Sequence, residues 1–218
     1  MALSMRLQLA EDARQIGLDL SEARCDTLLD YAALIRKWNQ THNLTTIDDP
    51  AKMLTHHLLD SLSIARFVFG NRCLDIGSGA GLPGMVMALA HPEQHWTLVE
   101  SRAKKASFLR EAKIRCKAEN VTVIAARIED YRPPENFDTL ASRAVSTVSD
   151  LISMTGHLHH PSLRLISMKG IYPEEELSAL TPRQREMTEV FPVEVPGLDA
   201  HAGLDACHDK VVVLMNLS

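Results

Sequence analysis

The chain has few cysteines, and they are widely separated: Cys25, Cys73, Cys116 and Cys207. They form no C-x-x-C pair, so the sequence contains neither a disulfide framework nor a zinc motif. The clustered His157, His159 and His160 are not predicted to bind a metal, because no cysteine or carboxylate lies close to them in the sequence. We therefore expect no metal site, and reduced thiols as in the cytoplasm.

Long apolar segments and net positive charge are also absent. No apolar run approaches the roughly 20 residues that a helix needs to cross a bilayer. Residues 1–10 lead directly into Glu11-Asp12, unlike a secretory signal. The formal net charge is −5, so no protein-wide positive field attracts nucleic acid or anionic membranes. We expect a cytoplasmic protein that binds neither membranes nor DNA and contacts any RNA through a local patch; a monomer is assumed.

What is present is the composition of an ordinary globular protein. The 218 residues are 45% hydrophobic and 23% charged, which suits one sizeable domain with a modest extension. Apolar residues from Leu28 to Trp38 recur at helical spacing behind a candidate cap at Ser21. A second helix is expected to begin at Asp49-Pro50 and to end near Gly70. These patterns predict an N-terminal helical extension over residues 1–70 and an α/β domain over residues 71–218.

Short apolar runs alternate with helical stretches from residue 72 onward. The runs cover residues 72–76, 96–100, 121–125, 137–142 and 163–168. Such alternation is typical of βαβ units and predicts a mainly parallel sheet. Two further runs, at 188–195 and 210–215, have only a loop between them, which favours an antiparallel strand pair. The sequence therefore predicts a mixed sheet.

A glycine-rich turn follows the first predicted strand: Asp75-Ile76-Gly77-Ser78-Gly79-Ala80-Gly81-Leu82-Pro83-Gly84. Glycines let the backbone approach a ligand closely at the strand ends, where open α/β sheets bind ligands. Residues 79–84 match G-x-G-x-x-G, so a dinucleotide-dependent oxidoreductase is an alternative. However, the register that starts at Gly77 would need a glycine where Leu82 stands. Asp75 would also repel a pyrophosphate, whereas it suits a cationic ligand.

Two more elements support a nucleoside site. Glu100 ends the second strand about 20 residues after the turn, where nucleoside-binding folds place the acceptor for ribose hydroxyls. After the third strand, Ile128 is expected to pack on an adenine, with Glu129 beside it. The plain alternatives are a strand-end charge and an ordinary loop. The joint occurrence of Glu100 and the glycine turn favours the functional interpretation.

The pattern from Asp75 to Gly81 resembles the D-x-G-x-G-x-G loop of class I S-adenosylmethionine-dependent methyltransferases, which have a Rossmann-like fold. Further motifs make the chain resemble one family, ribosomal RNA small subunit methyltransferase G. These motifs are Lys37-Trp38-Asn39, Asn43-Leu44-Thr45, His57-Leu58-Leu59-Asp60-Ser61, Leu82-Pro83-Gly84, Ser142-Arg143-Ala144 and Lys169-Gly170.

The resemblance implies methyl transfer from S-adenosylmethionine to N7 of a guanine in the 530 loop of 16S rRNA, with the small ribosomal subunit or an assembly intermediate as partner. The cofactor contacts that it implies are Gly77, Leu82, Ile128, Glu129 and Arg143. To these our own reasoning adds the following residues: Asp75, Gly79, Gly81 and Glu100.

Guanine N7 carries a free lone pair, so the reaction needs no general base. Holding both reactants in reactive geometry supplies most of the expected catalysis, about 7–11 kcal/mol. Arg143 and Lys169, each near the end of a strand, are the candidate catalytic residues because arginine and lysine donate to guanine O6. Their alternative roles are strand-end charges or phosphate contacts. His57 and Asp60, three residues apart on a helix, either orient one another or support a neighbouring loop.

Basic residues that contact RNA are less clearly indicated. The helix after Glu100 has a basic face: Arg102, Lys104, Lys105, Arg110, Lys113, Arg115 and Lys117. Such a face is either solvated or binds phosphate. The family usually has basic residues in its last strand, where this chain has His208 and Leu214; Lys210 is a possible substitute. Rival functions are methylation of another RNA site or a small molecule, and cofactor-dependent regulation without catalysis.

Overall fold

The N-terminal part of the chain is helical. In the computed structural model, which describes residues 2–198 and 210–217, α1 spans Ala2–Gln15 and α2 spans Glu22–His42. The hydroxyl of Ser21 accepts a hydrogen bond from the amide of Arg24, which confirms the predicted cap. Asn43, in the left-handed region at φ 47°, ends α2.

The next helix contains an irregular turn. It begins with α3 (Pro50–Met53), where the Asp49 carboxylate accepts a hydrogen bond from the Lys52 amide at 2.9 Å, as predicted. It continues through a π-helical segment, Leu54–Leu59, into α4 (Asp60–Leu62) and is followed by a 3₁₀ turn at Ala65–Phe67. The apolar spacing predicts a regular helix here and does not indicate the π-helical turn. Such turns are frequent at functional sites.

Seven strands form one mixed sheet in the order β3-β2-β1-β4-β5-β7-β6. Their bounds are Arg72–Ile76 (β1), His95–Val99 (β2), Val121–Ile124 (β3), Thr139–Arg143 (β4), Leu163–Lys169 (β5), Thr188–Pro192 (β6) and Val211–Leu217 (β7). Strands β1 to β5 are parallel, and β7 runs antiparallel to both β5 and β6. The predicted mixed sheet and antiparallel last strand are confirmed. Most of the predicted loop between the last strands, including Cys207 and His208, lies outside the described residues.

Helices cover both faces of the sheet. The remaining ones are α5 (Gly84–Ala90), α6 (Ala103–Arg115), α7 (Val148–Thr155), α8 (Glu174–Ser178) and α9 (Pro182–Glu186). Alternate strand residues point to opposite faces, so Cys73 and Leu74 belong to two different hydrophobic clusters. The cluster with Cys73 also contains Leu28 and Ile35 of α2, and therefore the N-terminal helices share a core with the sheet. Within the described residues, no helix combines the length and apolarity that crossing a membrane requires.

The shared core generates a stability prediction. Ile35 is fully buried, so Ile35→Ala removes apolar contacts and leaves a cavity in the core that α2 shares with the sheet. We expect a loss of about 2–5 kcal/mol in the free energy of unfolding. Urea denaturation measures this loss. The control Leu7→Ala truncates a side chain that is 61% exposed and should change stability by less than about 0.5 kcal/mol. Equal effects of the two variants would contradict a core shared by α2 and the sheet.

Candidate active site

The glycine turn after β1 has a backbone that other residues cannot adopt without strain. Gly77, Gly79 and Gly81 have φ values of 63°, 57° and 74°. Neighbouring atoms also leave no room for a side chain. A Cβ on Gly77 would lie 2.7 Å from a methyl group of Val145, and a Cβ on Gly81 would lie 2.9 Å from the Cβ of Met85. The turn is therefore a backbone cradle that glycine keeps open.

Helix α2 supports this turn from one side. The hydroxyl of Tyr31, a fully buried side chain, donates a hydrogen bond to the carbonyl oxygen of Ala80. Burial raises the pKa of Tyr31 well above its ordinary value, so the hydroxyl stays protonated as a donor. Tyr31 fits the helical apolar pattern of α2, and nothing in that pattern indicates that its hydroxyl reaches a loop 49 residues later.

Asp75, in β1, also contacts the glycine turn. The side chain has no exposed surface, and its Oδ2 accepts a hydrogen bond from the amide of Gly84 at 3.0 Å. Its Oδ1 is buried without a hydrogen-bond partner. Burial is the main cause that raises the pKa of Asp75 to about 7. The structure shows a backbone contact for this carboxylate, while its predicted interaction with a cationic ligand stays a prediction.

Glu100 lies directly after β2 and touches the same turn. Its Oε2 accepts a hydrogen bond from the Gly79 amide at 2.8 Å, and its Oε1 accepts one from the Arg102 amide at 2.7 Å. Glu100 is buried, with 5% of its surface exposed. The two sequence elements that pointed to a nucleoside site are therefore in direct contact.

A cavity of about 130 Å³ lies beside the turn, and we call it the β1 cavity. Its lining includes Gly77, Val99, Ile128, Glu129 and Val145. Ile128 and Glu129 form the 3₁₀ turn after β3, and Ile128 is mostly buried. The structure thus brings Gly77, Ile128 and Glu129 together around one cavity. Leu82 is buried in the adjacent core and does not line this cavity.

A second cavity, of about 330 Å³, lies on the other side of the end of β4, and we call it the β4 cavity. Arg143 and Ala144 line it, whereas the next residue, Val145, lines the β1 cavity. Ala144 has a φ of 54°, a left-handed conformation that non-glycine residues seldom adopt. Strain of this kind concentrates at functional sites. One short segment therefore separates two cavities at the carboxyl edge of the sheet, where open α/β folds bind ligands.

Both predicted catalytic residues line the β4 cavity and are ion-paired. Arg143 Nη1 donates to Asp60 Oδ2 at 2.9 Å and to the carbonyl oxygen of His56 at 2.9 Å. Lys169 Nζ contacts Glu176 Oε2 at 2.7 Å. Sequence reasoning did not identify Asp60 or Glu176 as their partners, because the pairs join residues 83 and 7 positions apart through the tertiary fold.

Lys210 and His57 are further polar residues that line the β4 cavity. Lys210 Nζ forms an ion pair with Asp60 Oδ1, so this lysine does reach the site. His57 Nε2 is 2.9 Å from the hydroxyl of Thr45, which lies between α2 and α3. His57 therefore supports the loop between α2 and α3, which is one of the two roles that the sequence predicts for it. Burial, followed by the charge of Arg143, lowers the pKa of His57 to about 4, so the imidazole is neutral at pH 7.

Other predicted positions lie away from these cavities. Leu214 is buried in the hydrophobic cluster below the N-terminal helices. Helix α6 buries Phe108 and Leu109 and leaves most of its basic side chains exposed. Among the residues that the structure describes, no group of three or more His, Cys, Asp or Glu side chains is arranged to hold a metal ion.

Known structures that superpose on this fold include methyltransferases. The precorrin-6Y C5,15-methyltransferase of Geobacter metallireducens GS-15 superposes with a TM-score of 0.53 at 14% identity, over 73% of this chain and 87% of its own. A variant of MtNAS, in complex with S-adenosylmethionine, gives a TM-score of 0.52 at 16% identity, over 96% of this chain and 88% of its own. The fold is that of class I S-adenosylmethionine-dependent methyltransferases, as predicted.

Sequence relatives narrow this class to one family. The profile of GidB, rRNA small subunit methyltransferase G, matches residues 24–203. Relatives named ribosomal RNA small subunit methyltransferase G include that of Chromobacterium violaceum, 42% identical over 90% of this chain and 94% of its own. That of Nitrosospira multiformis is 44% identical over 88% of this chain and 92% of its own. The chain belongs to the rRNA small subunit methyltransferase G family and is an enzyme of the methyltransferase class.

The buried Asp75 generates a pH prediction. Because the pKa of Asp75 is raised in the folded protein, the folded state holds a proton that the unfolded state has lost. This difference in protonation stabilises the folded state, and the stabilisation disappears as the pH rises to about 7. Asp75→Asn cannot titrate. Its free energy of unfolding, relative to the wild type, should therefore rise between about pH 5 and 7 by up to about 1.4 kcal/mol per pH unit and level off above about pH 8.

Urea unfolding at several pH values measures this difference. Glu119→Ala, which removes an exposed carboxylate, is the matched control, and its difference from the wild type should stay constant over the same range. A constant difference for Asp75→Asn as well would show that the Asp75 pKa is not raised.

Proposed function

We propose that the protein transfers the methyl group of S-adenosylmethionine to N7 of a guanine in the 530 loop of 16S rRNA. The substrate is the small ribosomal subunit or an assembly intermediate in the cytoplasm. The observation that carries this proposal is the pair of cavities on either side of residues 143–145, one beside the glycine turn and one lined by cations. Membership of the rRNA small subunit methyltransferase G family supports the class of substrate.

The β1 cavity and the glycine turn are the proposed site for the nucleoside part of the cofactor. A Cβ on Gly77 would meet Val145, which lines the β1 cavity, so glycine keeps the backbone next to this cavity. Glu100 accepts one backbone hydrogen bond at each oxygen, and each oxygen keeps a lone pair for a ribose hydroxyl. Ile128 would pack against the adenine, and Glu129 lies beside it.

Further cofactor contacts are assigned by position. Gly79 offers backbone groups in the turn, and Leu82 packs beneath it. The unpartnered Oδ1 of Asp75 is a candidate acceptor for the cationic amino acid portion. Arg143 borders both reactants, because it lies at the segment that separates the two cavities.

The β4 cavity fits the target base. Its volume of about 330 Å³ lies at the lower end of the range for small-molecule sites. Arg143 and Lys169 both line this cavity, and in the proposed complex they donate hydrogen bonds to guanine O6, which leaves N7 free. Because N7 already has a free lone pair, no side chain needs to remove a proton.

S-adenosylmethionine, when bound, supplies an electrophilic methyl group on a sulfonium. The N7 lone pair of guanine forms the new N–C bond while the S–C bond breaks, so the positive charge moves from sulfur to the base. S-adenosylhomocysteine and an N7-methylated guanine are the products. The chain contributes orientation of the base by Arg143 and Lys169 and a preformed backbone turn for the cofactor.

The direct test is transfer of radiolabelled methyl from S-adenosylmethionine to bacterial small subunits that lack their own N7 modification, followed by mapping of the labelled nucleotide. Label at N7 of the 530-loop guanine is expected, and subunits that already carry the modification are the control. Label at another nucleotide would identify a different RNA site. Methylation of a small molecule without ribosomal RNA would contradict the proposed substrate.

The two cavities also predict separate effects of two variants. Glu100→Ala removes an acceptor at the cofactor site and should weaken S-adenosylhomocysteine binding at least tenfold, whereas Arg143→Ala should mainly lower turnover. Calorimetry measures binding, and single-turnover methylation measures the rate. Glu119→Ala is the control for loss of an exposed carboxylate. Equal losses of binding and turnover in both variants would contradict this division of roles.

A further inference from the structure

The β4 cavity has an uneven distribution of charge. Three permanent cations line it, namely Arg143, Lys169 and Lys210, and among the described lining residues Asp60 is the only carboxylate. Asp60 lies in α4, directly after the π-helical segment, and its side chain is 5% exposed. A helix from the N-terminal region therefore places one buried negative charge against the ends of β4 and β7.

The contacts of Asp60 leave it able to accept more hydrogen bonds. Oδ2 receives Arg143 Nη1 at 2.9 Å, and Oδ1 receives Lys210 Nζ. A carboxylate offers about four acceptor positions, so each of these oxygens has one left. Because Asp60 also lines the cavity, a donor group that enters the cavity would lie next to its carboxylate.

Guanine has a matching arrangement of donors and acceptors. Around the ring, N7 and O6 are acceptors, and the neighbouring N1–H and N2 amino groups are donors. When N7 points toward the cofactor, O6 faces the cations, and N1–H and the N2 amino group lie next to O6. O6 and N1–H are adjacent on the guanine ring, so the residues that bind them must be adjacent too. Arg143 and Asp60 are in contact and meet this requirement. Adenine would instead direct its N6 amino group at the cations, which are donors themselves.

The charge movement during the reaction favours the same arrangement. The base becomes positively charged as its N7 accepts the methyl group. A carboxylate beside N1–H and the N2 amino group stabilises this charge more in the transition state than in the unreacted base. The ion pairs with Arg143 and Lys210 hold Asp60 in place before the base enters.

We propose that Asp60 is the residue that selects guanine, by accepting hydrogen bonds from N1–H and the N2 amino group while Arg143 and Lys210 flank it. This inference rests on the proposed function, since it requires a guanine in the β4 cavity. It adds a base-recognising residue whose carboxylate acts on the substrate directly, in addition to positioning Arg143 and Lys210.

The test compares two small subunits reconstituted with guanosine or inosine at the target position. Inosine lacks only the N2 amino group. The wild type is expected to methylate the guanosine subunit at least about tenfold faster, because a hydrogen bond to a charged acceptor is lost with inosine. In Asp60→Asn this ratio should fall below about threefold, since an amide offers one acceptor oxygen. Asp60→Glu, which keeps the carboxylate, should restore part of the ratio.

The control is Glu176→Gln, which also removes a carboxylate from an ion pair beside the cavity, the pair with Lys169. It should leave the guanosine-to-inosine ratio unchanged. If Asp60→Asn slows both substrates by the same factor, Asp60 has only a structural role and the inference is overturned. The inference is also overturned if the wild type methylates both subunits at the same rate. This result does not depend on whether Asp60→Asn folds. A wild type that methylates neither subunit contradicts the proposed function itself.

Discussion

Parallel pairing of β1 with β2 and with β4 is the constraint on which the site depends. Ile76 pairs with Val99 on one side and with Ser142 on the other, so the chain leaves all three strands at the same edge. The next residues are Gly77, Glu100 and Arg143. The glycine turn, the proposed ribose acceptor Glu100 and the arginine of the β4 cavity are therefore neighbours because of strand register.

Buried polar groups then set the details of this edge. Tyr31, Asp75 and Glu100 each hold one backbone group of the glycine turn, and Asp60 holds two cations. The desolvation free energy of a buried charge can exceed what an ion pair recovers. Such groups are weak evidence for stability, and their concentration around two cavities is better explained by preorganisation of a binding site.

Much of the fold follows from local patterns. The five parallel strands, the antiparallel pair and the caps Ser21 and Asp49 agree with predictions from apolar period and capping chemistry. The π-helical segment Leu54–Leu59 was not predictable in this way, because its apolar spacing is also compatible with a regular helix. That segment directly precedes Asp60, so the π-helical turn that was not predicted lies where this helix reaches the β4 cavity.

The sequence by itself determined which chemistry the chain can perform: a glycine turn after a strand, a carboxylate after the next strand, and the motifs of one methyltransferase family. Only the tertiary structure decided which side chains meet. Asp60 contacts Arg143 and Lys210, which are 83 and 150 residues away, and Tyr31 reaches Ala80. The physical reason is that a hydrogen bond or ion pair depends on distance in space, and separations of this size along the chain are closed only by the packing of helices on the sheet.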